Sequence, residues 1–152
     1  MNAVQTNKEK GFTIIEVVLV LAIAGLIFLM VFIALPALQR NQRDTQRKND
    51  LSRVQTAVQN YQSNNRNQLP DFNANFISSY LTTGGDTFAD PNGNAYTFHD
   101  GSNPTTFSTT SAQIYVTEGA VCNGEVVATG KGSQKVAIQY KLEGGGVACV
   151  NN

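Results

Sequence analysis

Lys10-Gly11-Phe12-Thr13-Ile14-Ile15-Glu16 runs straight into Val17-Val18-Leu19-Val20-Leu21-Ala22-Ile23-Ala24-Gly25-Leu26, and one carboxylate stands against the apolar pattern. From Val17 to Leu35 no residue is charged. As a helix that run covers roughly 28 Å, about one hydrocarbon core. It exceeds the secretory apolar stretch of about 7–15 residues. Ala34-Leu35-Pro36-Ala37 is also a poor match to an Ala-x-Ala cleavage site. The segment is therefore expected to remain in the mature protein as a spanning helix. Glu16 within it costs a few kcal/mol on insertion scales, so it is expected to be paired or functional. The plainer alternative is that Glu16 snorkels to the interface and favours the positive end of the helix dipole.

Helical patterning continues past Pro36. Leu51, Val54, Val58 and Tyr61 recur at spacings of three, four and three, and no glycine lies between Arg40 and Ser63. One helix from about Phe12 to Ser63 would be on the order of 75–80 Å long. A domain of this size cannot bury that length, so the first half belongs in lipid or an assembly and the second half against a head. Gly25 and Pro36 weaken the apolar half, and Pro36 predicts a kink near Phe32 to Leu35. Asn64-Asn65-Arg66-Asn67 and Pro70 predict the helix end.

The remainder is rich in Gly, Asn, Ser and Thr, with short alternating segments. Ala95–Phe98, Gln113–Thr117, Lys135–Leu142 and Val147–Val150 read as strands, the last two joined by Gly144-Gly145-Gly146. The expected fold class is α+β: a long N-terminal helix, its first half transmembrane, whose C-terminal half packs on a small antiparallel sheet. A head of roughly 80 residues buries a thin core, so a covalent staple would help. Cys122 and Cys149 fit a single disulfide if the head is exported, or two buried thiols if it is not. With His99 the only histidine, the pair makes no zinc motif.

Overall charge is balanced, with 11 basic and 11 acidic residues, but its distribution is not. Residues 39–66 carry six basic side chains (Arg40, Arg43, Arg47, Lys48, Arg53, Arg66) against Asp44 and Asp50, a net of +4. From Asp71 onward seven acidic residues face three lysines, a net of −4. A basic stalk and an acidic head suggest electrostatic contacts between subunits.

The run Lys10-Gly11-Phe12-Thr13-Ile14-Ile15-Glu16 ahead of a single long helix resembles the type IV pilin and pseudopilin family. The resemblance implies a leader, residues 1–11, cut between Gly11 and Phe12 by a prepilin peptidase. It implies N-methylation of the new Phe12 terminus and an assembly role for Glu16. The α-amine released at Phe12 keeps its positive charge near neutral pH, because its reference pKa is about 8. Glu16 would pair with that amine, in its own chain or, as the family favours, in a neighbour, where a buried pair sets axial register. Residues 12–38 would then be the membrane and assembly half of the helix, 39–66 its amphipathic half, and 67–152 a globular head. Family filaments often melt the helix between a glycine and a proline here. Gly25 and Pro36 are the candidates, although the proline falls about three residues late. A positive-inside count, with Lys8 and Lys10 against Arg40, Arg43, Arg47 and Lys48, would place the head in the cytoplasm. The cleavage motif and the cysteine pair argue for the outside.

Asp90-Pro91-Asn92-Gly93-Asn94-Ala95-Tyr96 partly resembles a segment of the major pseudopilins of type II secretion, with Asn92 in place of an aromatic residue. It is also ordinary turn chemistry. Those proteins often bind calcium, and Asp86, Asp90, Asn92, Asn94 and Asp100 offer oxygen ligands. Ala95 and Gly101 break the EF-hand pattern, so no cofactor is expected. The C-terminal cysteines instead resemble a type IV pilus subunit, where a Cys122–Cys149 disulfide would enclose a C-terminal loop. The expected function is a structural pilin for motility, adhesion or DNA uptake. A secretion pseudopilin is the alternative, and a single-pass anchored binding protein a more distant one. Expected partners are further copies of the chain, the peptidase, the pilus assembly platform, minor pilins and the membrane, with nucleic acid undecided. The precursor would sit in the inner membrane and the filament outside the cell. No nucleophile, base and oxyanion site can be assembled from the sequence, so no enzyme is expected. Ser102–Ser111 reads as an exposed loop whose Asn103-Pro104-Thr105 is no glycosylation sequon.

Overall fold

The computed structural model describes residues 11–101 and 112–152. The chain divides into two compact units, Met1–Leu38 and Gln39–Asn152, and helix α1, Ile14–Asn64, contributes to both. In the first unit the large apolar side chains of α1 are exposed on every side. The helix is long and apolar enough to cross a membrane and is unbroken through Gly25 and Pro36. The predicted leader up to Lys10 lies outside the described residues.

In the second unit the stripe read from the sequence is the buried face of α1. Leu51, Val54 and Val58 are fully buried, Ala57 joins them, and Tyr61 packs at the margin. Burying side chains of this size contributes roughly 1.5–3 kcal/mol each. α1 ends as predicted. Arg66 and Asn67 take left-handed backbone at φ 52° and 64°, and the Asn67 N–H closes onto the Gln62 carbonyl at 2.7 Å.

A short helix, α2 (Ala74–Phe76), then runs into a π-helical turn, Ile77–Leu81. The Asn73 side chain caps α2 by accepting from the N–H groups of Asn75 (2.9 Å) and Phe76 (3.1 Å). Asn and Ser hide this turn of helix in the sequence, because they are weak helix formers away from caps.

Six strands follow: β1 Thr97–Asp100, β2 Gln113–Glu118, β3 Val121–Asn123, β4 Val126–Ala128, β5 Val136–Lys141 and β6 Val147–Asn151. Four form one sheet in the order β1-β2-β5-β6, and β3 pairs with β4 as a separate hairpin. Three of the expected segments match β2, β5 and β6, while β1 starts two residues later than expected. The sheet also departs from the all-antiparallel expectation, because β1 lies parallel to β2, with Thr97 opposite Gln113. Alternation along a strand identifies its faces but not its direction beside a neighbour.

Alternate residues divide the two faces of the sheet. Ile114, Val116, Val136, Ile138 and Tyr140 join Phe76, Leu81, Phe88, Tyr96 and the α1 stripe in the core. On the opposite face Gln139 is buried and donates its amide to the Glu125 carbonyl at 2.8 Å. Cys149, paired with Gln139 across the β5–β6 ladder, forms a disulfide with Cys122 of β3. The hairpin is thereby stapled to the sheet. Gly146, at φ +79°, closes the β5–β6 turn where a Cβ would lie 2.6 Å from Glu125 Oε1.

Candidate functional site

Thr13 and Glu16 begin α1 with a reciprocal cap. The Glu16 carboxylate accepts from the Thr13 N–H and from the Thr13 hydroxyl, both at 2.8 Å. The Glu16 N–H donates back to Thr13 Oγ1 at 3.4 Å. This is a Thr-x-x-Glu capping box, and it satisfies donors that any helix start leaves open. The spacing was legible in the sequence, yet the carboxylate had been read only for its charge. Gly11 and Phe12 precede the helix, exposed and in irregular backbone, so their peptide bond is outside the hydrogen-bonded ladder. Phe12 is 88% exposed. Gly25 has open space around its Cα, and Pro36 sits within the helix.

The second unit carries a polar cluster that the sequence reading missed. Asp44 and Arg47 extend the 51-54-58 stripe toward the N-terminus at the same three- and four-residue spacing, so helical periodicity turns both toward the core. Arg47 is 4% and Asp90 4% exposed. Arg47 Nε donates to Asp90 Oδ1 at 2.7 Å and Nη2 to Oδ2 at 3.2 Å. Its Nη1 donates to Asp44 at 2.9 Å and Glu143 at 3.2 Å. The Tyr140 hydroxyl donates to Asp90 Oδ1 at 2.9 Å, and the Asn92 N–H donates to Oδ2 at 3.0 Å. Asp44 in turn accepts from the N–H groups of Glu143 (2.9 Å) and Gly144 (2.7 Å), and Arg43 grips the Glu143 carboxylate. The Asp90 turn and the Leu142–Gly146 turn are thus clamped onto residues 43–47 of α1.

Electrostatics follow from these contacts. Burial pushes the Asp90 carboxyl up, but Arg47, the Asn92 N–H and Tyr140 together outweigh it and hold it below the ordinary carboxylate range. Asp44 is likewise held low, its burial outweighed by the two turn N–H groups and Arg47. The Arg43 hydrogen bond leads in lowering Glu143 to about 2. Asp50 differs. Burial raises it, and the Tyr96 hydroxyl at 3.0 Å and Arg53 only partly compensate. Burial first, then the neighbouring carboxylates, pushes the Tyr96 and Tyr140 hydroxyls up.

The cluster corrects the charge reading. Arg43, Arg47 and Arg53, three of the stalk's basic side chains, pair with Glu143, Asp90, Asp44, Asp50 and Asp86 of the same chain. The +4/−4 asymmetry therefore draws the chain onto itself, at least at these positions. Of the oxygen donors weighed for calcium, Asp90 is occupied by Arg47, and no group of three His, Cys, Asp or Glu poised for a metal occurs among the described residues. His99 is exposed on β1 and stacks on Tyr115, with ring centres 5.7 Å apart. The Ser102–Ser111 segment lies outside the described residues.

Neither the curated proteins nor the solved structures contain a match to the chain. The family described as the prokaryotic N-terminal methylation motif matches residues 6–32, which take in the Gly11–Phe12 junction, Glu16 and Gly25. With its apolar helix and its small α+β head, the chain therefore carries the prokaryotic N-terminal methylation motif, the class III signal peptide of type IV pilins.

Proposed function

We propose that this chain is the precursor of a structural subunit of a type IV pilus. A prepilin peptidase removes residues 1–11 and methylates the Phe12 amine. The apolar part of the helix holds the subunit in the inner membrane, and an assembly platform then packs subunits helix against helix, with heads outward. The single observation that carries this reading is the matched motif, whose Gly11–Phe12 bond lies just outside a helix of uniformly exposed apolar side chains. A helix apolar all round is one destined for lipid or for other helices. Within that assembly Glu16 meets a Phe12 amine of a neighbour, and Gly25 and Pro36 mark where the helix can yield.

The Cys122–Cys149 disulfide supports a pilus subunit over a pseudopilin, since it staples the C-terminal strand of a head exposed to an oxidising compartment. The pseudopilin reading keeps one specific support, the Asp90-Pro91-Asn92-Gly93 turn. Pairing of the stalk arginines within the chain leaves fewer cations for phosphate and supports adhesion or motility over DNA coating.

Mass spectrometry of the processed protein tests the core of the reading. The expected terminus is an N-methylated Phe12, and an intact Met1 would defeat it. Imaging cells with and without the gene separates the two assemblies, since long surface filaments are expected only of a pilus.

A further inference from the structure

A polar groove on the head, separate from the clamp and from the apolar helix, has no part in the function proposed above. It has a volume of about 420 Å³ and lies between one face of α1 and the segment around the π-helical turn. The helix wall carries Asn49, Ser52, Thr56 and Asn60, and the facing wall carries Tyr80 and Thr83. Arg53 crosses the groove to reach the Leu81 carbonyl at 3.0 Å, with Asp86 3.9 Å away. A π-helical turn in a wall is itself a feature found often at functional sites.

The lining selects a ligand by exclusion. Arg53 and Asp86 offset one another, so the groove recruits neither an anion nor a cation. Its apolar surface is limited to Ala57, Leu81 and the Tyr80 ring, too little to hold a hydrophobic side chain. What remains is a row of neutral donors and acceptors. Among the described residues no hydrogen bond engages the side-chain amides of Asn49 and Asn60, which are exposed. Ser52, Thr56 and Thr83 spend their hydroxyl protons on carbonyls four residues back, which leaves their oxygens able to accept. Each amide offers both donors and acceptors. The helix wall repeats these groups roughly once per ~5.4 Å turn, close to the length of one sugar ring.

We propose that this groove binds a short neutral oligosaccharide. The Asn49 and Asn60 amides and the facing Thr83 hydroxyl bond sugar hydroxyls, and the Tyr80 ring takes the apolar C–H face of one sugar. Each sugar hydroxyl is both donor and acceptor, which is what such a lining requires and what a hydrocarbon or a single ion lacks. The site belongs to one chain and does not depend on filament assembly.

The test uses the full chain in a sugar-free detergent, probed with an array of neutral and amino-sugar oligosaccharides, followed by titration of the retained sugar. Retention is expected, with at least a tenfold loss in Asn49→Ala/Asn60→Ala and a smaller loss in Thr83→Val. Gln68→Ala, outside the groove, should bind as the parent does. Alanine favours helix at the two asparagine positions, so an unchanged unfolding midpoint is expected in the double variant. No sugar retained by the parent, or equal retention by the double variant, would overturn the proposal. Because binding is read on unassembled chain, failure to form filaments leaves this result interpretable.

Discussion

Arg47 on α1 and Asp90, forty-three residues further along the chain, meet as a fork, with nitrogen–oxygen distances of 2.7 and 3.2 Å and both side chains almost fully buried. Two parallel charge-assisted bonds in a shielded site fix geometry as well as energy. Removing one partner leaves the other charge buried. Arg47→Ala should therefore destabilise the head by about 3–5 kcal/mol. Arg47→Lys should lose part of that, because an ammonium cannot form the fork. Denaturant unfolding of the full chain, followed by aromatic circular dichroism, checks both. Equal midpoints for parent and Arg47→Ala would show that the pair contributes nothing.

Asp44, Asp90 and Glu143 all have folded-state values below the ordinary carboxylate range, with Glu143 at about 2. Their contribution is fully present above the unfolded-state values near pH 4 and disappears as pH falls through the folded ones. The unfolding midpoint should be flat through neutral pH and drop on acidification below about pH 4. In Asp44→Asn that acid limb should be shallower, and a limb identical to the parent's would remove Asp44 from the account.

Asp50 carries the opposite sign. Its folded-state value is raised by burial, so its contribution is greatest at low pH and is lost as pH rises through that value. Asp50→Asn keeps a carbonyl for the Tyr96 hydroxyl while deleting the buried charge. The midpoint of Asp50→Asn relative to the parent should rise between pH 3 and pH 7. A difference that falls over the same range contradicts the sign.

The Cys122–Cys149 bridge closes a loop of sequence separation 27 and ties β3 to the last strand. Its reduction should cost roughly 3–4 kcal/mol in the chain-entropy model. Hydrogen exchange should accelerate first at Val121–Ala128, since the hairpin is a separate two-stranded unit. Uniform acceleration across the sheet would mean that the staple acts on the whole head instead.

Glu16→Gln separates the two jobs of the opening carboxylate. Glutamine still fits the capping box with Thr13, but it has no charge for a Phe12 amine. The variant should be cut after Gly11 and methylated as the parent is, yet fail to enter filaments. Normal incorporation would assign Glu16 to helix capping alone.

How much was legible can be followed along α1. Leu51, Val54 and Val58 were readable because a helix repeats every 3.6 residues and apolar side chains must leave water. The helix end was readable from Asn-rich sequence because few residues tolerate left-handed backbone. Asp44 and Arg47 occupied the same stripe, but a charged residue at a core-facing position announces burial without naming its partner. Asp90 and Glu143 come from distant turns, and only the folded chain brings them there.

The sequence by itself determined the local matters: a cleavable junction ahead of an apolar helix, the Thr13–Glu16 cap, the amphipathic face, and the strands that alternate cleanly. Each is set by interactions within a few residues. Tertiary structure alone decided the parallel pairing of β1, the hairpin stapled across the sheet, and the turning of stalk charge inward onto the head. Those depend on loop closure and on mutual desolvation of groups up to a hundred residues apart, which no local pattern encodes.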